Sequence, residues 1–244
     1  MNSSLSINSH NDIPIVMIHG LGGASSVDYK DLDLGDWQRV LIDLPGSGES
    51  IDIVCDFSIP GLAQHVERVL RDSGITQAVL FGHSMGGSVA MSLARLWPEL
   101  AVGVILTEAS LDPGGGSWSR RISSYSESEF AANGWADIVA EQREIMPSWS
   151  KTVEHTSPVA MYWEAVSLVN GTDPTCRETL YNLRCPRFYI FGDQSLPDDD
   201  FDELPRHGVE VMVIKDAGHN MVYENPTGLS QAVTHCLDRI VSER

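Results

Sequence analysis

Basic residues are scarce in this chain of 244 residues, in which 16 Lys and Arg stand against 34 Asp and Glu, giving a formal net charge of -18. A surface this negative repels phosphate backbones and anionic lipid headgroups, so we expect neither nucleic acid nor a membrane surface as a partner. The sequence also lacks the run of about 20 apolar residues that a membrane-spanning helix needs. With 42% hydrophobic and 20% charged residues, its composition is that of a globular protein.

The sequence also shows no C-x-x-C pair, and we expect no secretory signal from its first residues. The cysteines at 55, 176, 185 and 236 form no C-x-x-C motif, so neither a zinc knuckle nor a redox dithiol is indicated and reduced thiols are expected. Residues 1–12 contain no Lys or Arg and no apolar core, so they do not have the pattern of a secretory signal. A cytoplasmic location is therefore predicted.

Short β-branched runs alternate along the chain with helical patterns, which is typical of a parallel sheet with crossover helices. The predicted strands are nearly continuous apolar runs, as expected of strands buried on both faces. They are 13–18, 40–43, 78–81, 102–106, 188–191 and 209–214. Apolar residues at spacings of three and four predict helices at 59–72, 88–97 and 226–241. The pattern indicates an α/β fold.

The alternation is interrupted between residues 112 and 185, where helical patches occur without a convincing strand. This interval contains four of the six tryptophans. We interpret it as an inserted lid whose inner face lines an apolar pocket, with Trp118, Trp135, Met146 and Trp163 as candidate lining residues. The alternative is that these side chains only fill the small core of the inserted helices.

The strongest chemical signal is Gly82-His83-Ser84-Met85-Gly86-Gly87, which follows one predicted strand and precedes a predicted helix. Glycines two residues before and after the serine let the chain turn sharply and hold the hydroxyl above the sheet in a strained conformation. This arrangement is typical of a nucleophile elbow, with Ser84 as the nucleophile.

A second glycine-rich loop, His19-Gly20-Leu21-Gly22-Gly23, follows the first predicted strand. If it folds over the elbow, the backbone N–H groups of Leu21 and Met85 can converge where an oxyanion forms during acyl transfer. A simple turn and a phosphate cradle are the alternatives. The chain contains neither G-x-x-x-x-G-K-[ST] nor a helix-opening G-x-G-x-x-G, so nucleotide binding is weakly supported.

A serine hydroxyl needs a base to accept its proton, and eight histidines compete for that role. His219 lies in Ala217-Gly218-His219-Asn220, between the last predicted strand and the final helix, which is a suitable position. His83 and His19 belong to the two loop motifs, where local hydrogen bonding is the simpler interpretation.

Taken together, these motifs resemble the α/β-hydrolase-fold superfamily over nearly the whole chain, in particular its lid-bearing serine esterases and lactonases. The resemblance rests on residues 19–23, 43–50 (DLPGSGES), 82–87 and 217–219, in the order of the family. It implies Ser84 as nucleophile, His219 as general base and the amides of Leu21 and Met85 as oxyanion hole. It also implies a mostly parallel sheet of six to seven strands flanked by helices, with a helical cap inserted after the strand ending near Leu106. The core domain would comprise residues 1–111 and 186–244, and the cap residues 112–185.

The acid of the triad departs from the family pattern. Family members usually carry Asp three residues after the glycine that ends the next-to-last strand, and Gly192-Asp193-Gln194-Ser195 places a serine there. Glu108, just after the strand 102–106, is the preferred candidate, because some lid-bearing relatives carry their acid after this earlier strand. Asp193, Asp112 or no acid at all remain the alternatives.

The sequence thus predicts a serine hydrolase with a Ser84-His219-Glu108 triad that cleaves a carboxylic ester or lactone with an apolar group. No metal or organic cofactor is required, since the catalytic groups are all side chains. A serine at the elbow leaves a C–C bond hydrolase or a hydroxynitrile lyase-like enzyme as enzymatic alternatives. A receptor that binds a small molecule without turnover is the alternative from another class.

Overall fold

A computed structural model describes residues 13–243. Its strands are β1 (Ile15–Ile18), β2 (Arg39–Ile42), β3 (Ala78–His83), β4 (Ala101–Thr107), β5 (Arg187–Gly192) and β6 (Glu210–Ile214). They form one parallel sheet in the order β2-β1-β3-β4-β5-β6. The predicted parallel α/β sheet is confirmed with six strands. Residues 1–12, to which the prediction about a secretory signal refers, lie outside the described residues.

Helices cover both faces of the sheet. The helices that precede β4 are α1 (Ser25–Asp28), α2 (Ile59–Asp72) and α3 (Met85–Leu96). Apolar residues of α2 and α3 pack with Val16 and Ile18 on one face, whereas the neighbouring Ile15 and Met17 pack on the other. Because successive strand residues point to opposite faces, the continuous apolar runs of the sequence supply two cores.

Burial on both faces does not hold for the two edge strands. Arg39 of β2 is exposed and Val40 and Leu41 are only half-buried, while in β6 Val213 is 40% exposed. An edge strand has a neighbour on one side only and is less completely covered by the helices. The expectation of full burial is therefore wrong for β2 and β6, although both strands are present.

Between β4 and β5 the chain is helical, as predicted for the insertion. We call residues 112–185 the cap segment. Its α-helices are α4 (Ser117–Ser123), α5 (Glu127–Glu129), α6 (Trp135–Ile145), α7 (Pro147–Val153), α8 (Pro158–Asn170) and α9 (Cys176–Asn182), with a π-helical turn at Phe130–Gly134. After β5 follow α10 (Asp200–Glu203), α11 (Met221–Glu224) and α12 (Pro226–Ser242), and α12 packs against the face opposite α2 and α3.

The cap segment is attached to the loops at the carboxyl ends of the strands. The Ser157 N–H donates to the Gly46 carbonyl at 2.7 Å, and the Gly48 N–H donates to the His155 carbonyl at 3.0 Å. The N–H of Ile59, at the start of α2, donates to the hydroxyl of Ser167 on α8 at 2.9 Å. These bonds hold the inserted helices over the edge of the sheet where the sequence motifs meet.

The four cysteines are free thiols. Within residues 13–243, no helix combines the length and the apolar character that crossing a lipid bilayer requires.

Glu164 is the one carboxylic acid of the cap segment that is fully buried. Neither of its oxygens has a hydrogen-bond partner, and burial raises the pKa of this carboxyl from 4.5 to about 8. Its charge also contributes to the raised pKa of the nearby Cys55 thiol. An unpartnered buried polar group costs stability, so we expect Glu164→Met to raise the free energy of unfolding at pH 8 by ~1–3 kcal/mol.

The pH dependence of stability is an independent test of the raised pKa of Glu164. Because the folded-state pKa lies above the unfolded one, the folded protein binds more protons between pH 4.5 and 8, and this group makes wild-type stability fall as the pH rises through that window. In Glu164→Gln that contribution is lost, so the stability of the variant relative to wild type should increase from pH 5 to pH 8. Urea denaturation across this range measures the difference, with the exposed Glu144→Gln as control. Parallel curves for wild type and Glu164→Gln would contradict the assignment.

Candidate active site

Strand β3 turns sharply into helix α3 at Ser84, as the glycine-flanked motif predicts. Ser84 has φ 51° and ψ -118°, a conformation that non-glycine residues rarely adopt and that is concentrated at functional sites. A Cβ atom on Gly82 would lie 2.4 Å from the carbonyl oxygen of Gly86, and one on Gly86 would lie 2.2 Å from that of Ile18. Both glycines are therefore required, because the backbones approach too closely to admit a side chain.

Ser84 lies in the wall of a cavity of about 560 Å3 between the strand ends and the cap segment, a volume typical of small-molecule sites. Within the described residues, no Lys or Arg lines this cavity, and Asp28 is the only carboxylic acid in its wall. The core residues that line it are Gly20, Leu21, Gly23, Asp28, Tyr29, His83, Ser84, Ser110, His219, Asn220, Val222 and Tyr223. The cap segment contributes Gly116, Ser117, Trp118, Ser119, Gln142, Ile145, Met146, Trp149 and Leu168.

Two of the four predicted pocket residues, Trp118 and Met146, line this cavity, and two do not. Trp135 is half-buried and packs against the main hydrophobic core, and its indole N–H is buried without a partner. Trp163 is 44% exposed and donates from its indole N–H to Glu127 at 2.8 Å. The placement of Trp135 and Trp163 in the pocket is therefore corrected. Trp163 points outwards because the buried residues of α8 are 160, 161, 164, 165 and 168, which leaves position 163 on the opposite side of the helix.

The two predicted oxyanion donors lie beside Ser84. Met85 is the first residue of α3, where a backbone N–H has no acceptor within the helix and lies at the positive end of the helix dipole. Leu21 lines the cavity, and within the described residues its N–H makes no backbone hydrogen bond. A Cβ on Gly20 would lie 3.2 Å from Cβ of Ser84, so the glycine-rich loop does fold over the elbow. Both N–H groups are thus free to bind an anionic oxygen.

The histidines of the two loop motifs have local hydrogen-bond partners. His19 is fully buried, and its Nε2 accepts from the Leu44 N–H at 2.9 Å, which ties the first loop to the one after β2. The Nδ1 of His83 lies 3.1 Å from the Thr107 hydroxyl. Burial, with His219 as a lesser cause, lowers the pKa of His83 to about 3, so this ring is uncharged at neutral pH.

His219 follows β6 and lines the same cavity as Ser84. About half of its side chain is exposed, yet the surrounding protein removes enough solvent to lower its pKa. A neutral imidazole can accept a proton, which a charged one cannot. The two side chains lie in one cavity without a hydrogen bond between them, and such bonds are often long in an unliganded site and shorten when substrate binds.

Glu108 is the candidate acid that approaches His219. It follows β4 with φ 46°, so it too adopts a left-handed conformation. Its Oε2 lies 4.0 Å from Nδ1 of His219, and its Oε1 accepts from the Gly192 N–H at 2.8 Å. Burial raises the pKa of Glu108, whereas the bonds from Gly192 and from the hydroxyl of Ser195 lower it. Ser195 occupies the position where the family usually carries Asp, so Glu108 reaches the place of the missing carboxylate.

The other two candidate acids are engaged elsewhere. Asp193 is exposed and accepts from the Ala217 N–H at 3.2 Å, which braces the loop before His219 without contacting its ring. Asp112 forms an ion pair with Arg177 at 2.5 Å. Of the three acids, the structure thus brings only Glu108 to the candidate base.

Several cavity residues carried no signal in the sequence. Asp28 and Tyr223 stand 195 positions apart and belong to no motif, and Gln142 is a single polar residue on the buried side of α6. Their common location depends on how loops from distant strands fold together. Among residues 13–243, no group of three or more His, Cys, Asp or Glu could hold a metal ion.

Comparison with known proteins identifies relatives over most of the chain. A model of the alpha/beta hydrolase family matches residues 15–232. In sequence, the chain is 29% identical over 252 residues to 2-succinyl-6-hydroxy-2,4-cyclohexadiene-1-carboxylate synthase of Pectobacterium atrosepticum, an alignment that covers 94% of this chain and 95% of the synthase.

Among solved structures, the chain is similar to an N-acyl homoserine lactonase in complex with N-hexanoyl homoserine, with a TM-score of 0.75 and 21% identity over 93% of this chain and 89% of the lactonase. It is equally similar to a thermophilic esterase from Thermogutta terrifontis, with a TM-score of 0.74 and 21% identity over 94% of this chain and 91% of the esterase. At this level of identity the likeness establishes the fold.

Proposed function

The chain belongs to the alpha/beta hydrolase family, and from that premise we propose that it is a serine hydrolase that cleaves a carboxylic ester or lactone through an acyl-enzyme on Ser84. The observation that carries the proposal is the single cavity in which a serine with φ 51° at a helix N-terminus faces a neutral histidine backed by a glutamate. Nucleophile, base and orienting acid are the three parts that acyl transfer from a serine requires.

In the proposed reaction, the oxygen of Ser84 attacks the carbonyl carbon of the substrate while its proton passes to Nε2 of His219. The negative charge that develops on the carbonyl oxygen is bound by the N–H groups of Leu21 and Met85. Glu108 stabilises the resulting imidazolium through Nδ1. When the tetrahedral intermediate collapses, the bond to the alcohol oxygen breaks and His219 returns its proton to that oxygen.

The second half of the reaction repeats these steps with water. His219 takes a proton from a water molecule, whose oxygen attacks the acyl carbon bound to Ser84. Collapse of this second intermediate releases the carboxylic acid and returns the proton to Ser84. For a lactone, the alcohol and the acid are the two ends of one product.

The lining of the cavity supports an uncharged substrate. Trp118, Met146 and Trp149 from the cap segment provide an apolar wall, and we propose that residues 112–185 act as a cap over the core formed by residues 1–111 and 186–244. The four free thiols are consistent with a reducing compartment such as the cytoplasm as the location of the enzyme.

The reaction named for the curated relatives is the second candidate, since their alignments cover nearly the whole chain. By its name, the product of that synthase carries a carboxylate and a succinyl group, and binding such anions calls for basic side chains. Within the described part of the chain, no Lys or Arg lines the cavity, and Asp28 adds an acid to its wall. Ester or lactone hydrolysis therefore accounts better for this cavity.

A fluorophosphonate probe tests the proposal without knowledge of the substrate. We expect the purified protein to gain the mass of one adduct, because an activated serine attacks phosphorus as it attacks a carbonyl carbon. Intact-mass spectrometry detects the adduct, which should be absent from Ser84→Ala and retained by Ser88→Ala, a variant at a nearby serine that lies outside this cavity.

The same measurement separates an enzyme with an activated serine from a receptor. Labelling of wild type and of Ser88→Ala but not of Ser84→Ala, followed by turnover of neutral esters or lactones, supports the hydrolase. A folded wild-type protein that is not labelled would overturn the proposed function in favour of a receptor.

A further inference from the structure

Two segments that meet at the cavity come from opposite parts of the sheet. The glycine-rich loop, which carries Leu21, follows β1, and the segment of His219 follows β6. Strands β3, β4 and β5 lie between them. With neighbouring strands about 4.8 Å apart, the ends of β1 and β6 are separated by roughly 19 Å. The two segments nevertheless line one cavity, so a contact between them is needed to hold their relative position above the elbow.

A single side-chain hydrogen bond joins the two segments. The hydroxyl of Tyr223 donates to Oδ1 of Asp28, and we call this pair the clasp. Within the described residues, it is the only hydrogen bond between residues 19–28 and 217–225. Both clasp residues line the cavity and are half-buried. Hydrogen bonds to a carboxylate in such a setting are stronger than those between neutral groups.

At the Asp28 end, the clasp is coupled to the glycine-rich loop of residues 19–23, which we call the oxyanion loop. The other carboxylate oxygen, Oδ2, accepts from the Ala24 N–H at 3.1 Å. The same oxygen lies against Gly23, where a Cβ would stand only 2.8 Å away, and the Gly23 N–H donates to the Gly20 carbonyl at 3.0 Å. Movement of the carboxylate is therefore transmitted to the turn that contains Leu21.

At the other end, the clasp is coupled to the candidate base. Tyr223 belongs to α11 and stands four residues after His219, and its own N–H donates to the Asn220 carbonyl at 2.9 Å. The Tyr223 hydroxyl also contacts the Thr152 side chain of α7. The phenol thus links the segment that carries His219, the oxyanion loop and the cap segment.

We infer that Asp28 and Tyr223 are positioning residues that set the oxyanion loop relative to His219, an inference that rests on the proposed function. Displacing a catalytic group by about 1 Å can cost 100-fold in rate without removing any reacting atom. Loss of the clasp therefore impairs attack by Ser84 while the cavity wall that binds substrate persists.

The test compares Tyr223→Phe, Asp28→Asn and the double variant in their rate of labelling by the fluorophosphonate probe. Tyr223→Phe removes only the hydroxyl, and we expect labelling to slow by ~10- to 100-fold. Asp28→Asn keeps a carbonyl oxygen that can accept from Tyr223, so it should slow labelling less. Because both changes act on the same interaction, which Tyr223→Phe already removes, the double variant should be about as slow as Tyr223→Phe alone. Tyr162→Phe, which removes a hydroxyl bonded to the Tyr125 carbonyl in the cap segment, is the control.

A purely structural contribution is distinguished by two further readouts. The melting temperature of Tyr223→Phe should stay close to that of Tyr162→Phe. With a neutral ester as substrate, kcat should fall and KM should change little. If Tyr223→Phe is labelled at the same rate as wild type, the inference is overturned and the proposed function is left intact. Single effects that multiply in the double variant also overturn it, whereas unlabelled wild type overturns the proposed function itself.

Discussion

Replacement of His219 by glutamine is expected to lower kcat/KM for ester hydrolysis by about 10,000-fold or more, since removing the general base of a serine triad leaves only binding and oxyanion stabilisation. Glutamine approximates the size of the imidazole but accepts no proton. The pH dependence of kcat/KM provides a second measurement. Because burial lowers the pKa of His219, the rising limb of the wild-type profile should have its midpoint below 6.5, and the variant should lack this limb.

The matched control is His83→Gln, which changes a neighbouring histidine of the same cavity. The two ring centroids are 5.0 Å apart. His83 is held by Thr107 and has a pKa of about 3, so it is a poor proton acceptor at neutral pH. We expect its replacement to cost less than about tenfold in kcat/KM. Equal losses in the two variants would contradict the assignment of His219 as the base.

Local sequence signals predicted the parts of the site that depend on the backbone alone. Helix α2 occupies residues 59–72 as its apolar spacing predicts. The turn at Ser84 lies between β3 and α3 as the two glycines require, because close backbone contacts at Gly82 and Gly86 exclude other residues. Such steric requirements act over a few residues and can therefore be read directly from the chain.

Placement within the cap segment was only partly predictable. Trp118 and Met146 line the cavity, whereas Trp135 and Trp163 do not. Which side of each short helix faces the core depends on packing against other helices, such as that of α4 against α8. The composition of the segment indicated an apolar wall but could not select the side chains that form it.

The clasp could not be predicted because it depends on long-range geometry. Asp28 and Tyr223 are 195 positions apart, and neither lies in a recognisable motif. Only the order of strands, with β1 and β6 on opposite sides of β3, brings their loops over the elbow from two directions. Local sequence patterns therefore do not predict the contact between these two residues.

Glu108 combines both kinds of information: its position after β4 was readable from the chain, whereas its preference over Asp193 and Asp112 rested on the resemblance to lid-bearing relatives. We expect Glu108→Gln to lower kcat by about 1,000-fold, because an amide cannot stabilise the imidazolium as a carboxylate does. Glutamine has the same shape as glutamate, so the variant removes the charge without disturbing the left-handed backbone at this residue. Asp193→Asn is the matched control and should cost less than about tenfold, because its carboxylate braces a loop without contacting the base.

A rescue experiment makes this prediction more demanding. The hydroxyl of Ser195 bonds to Glu108, so an aspartate at position 195 would place a carboxylate beside the same site. Adding Ser195→Asp to Glu108→Gln should therefore recover ~10-fold or more of the lost kcat, whereas Ser195→Asp in the wild-type background should not raise it. A large loss in Asp193→Asn together with an unaffected Glu108→Gln would assign the acid to Asp193. If neither variant loses activity, His219 works without an orienting carboxylate and the triad is reduced to a dyad.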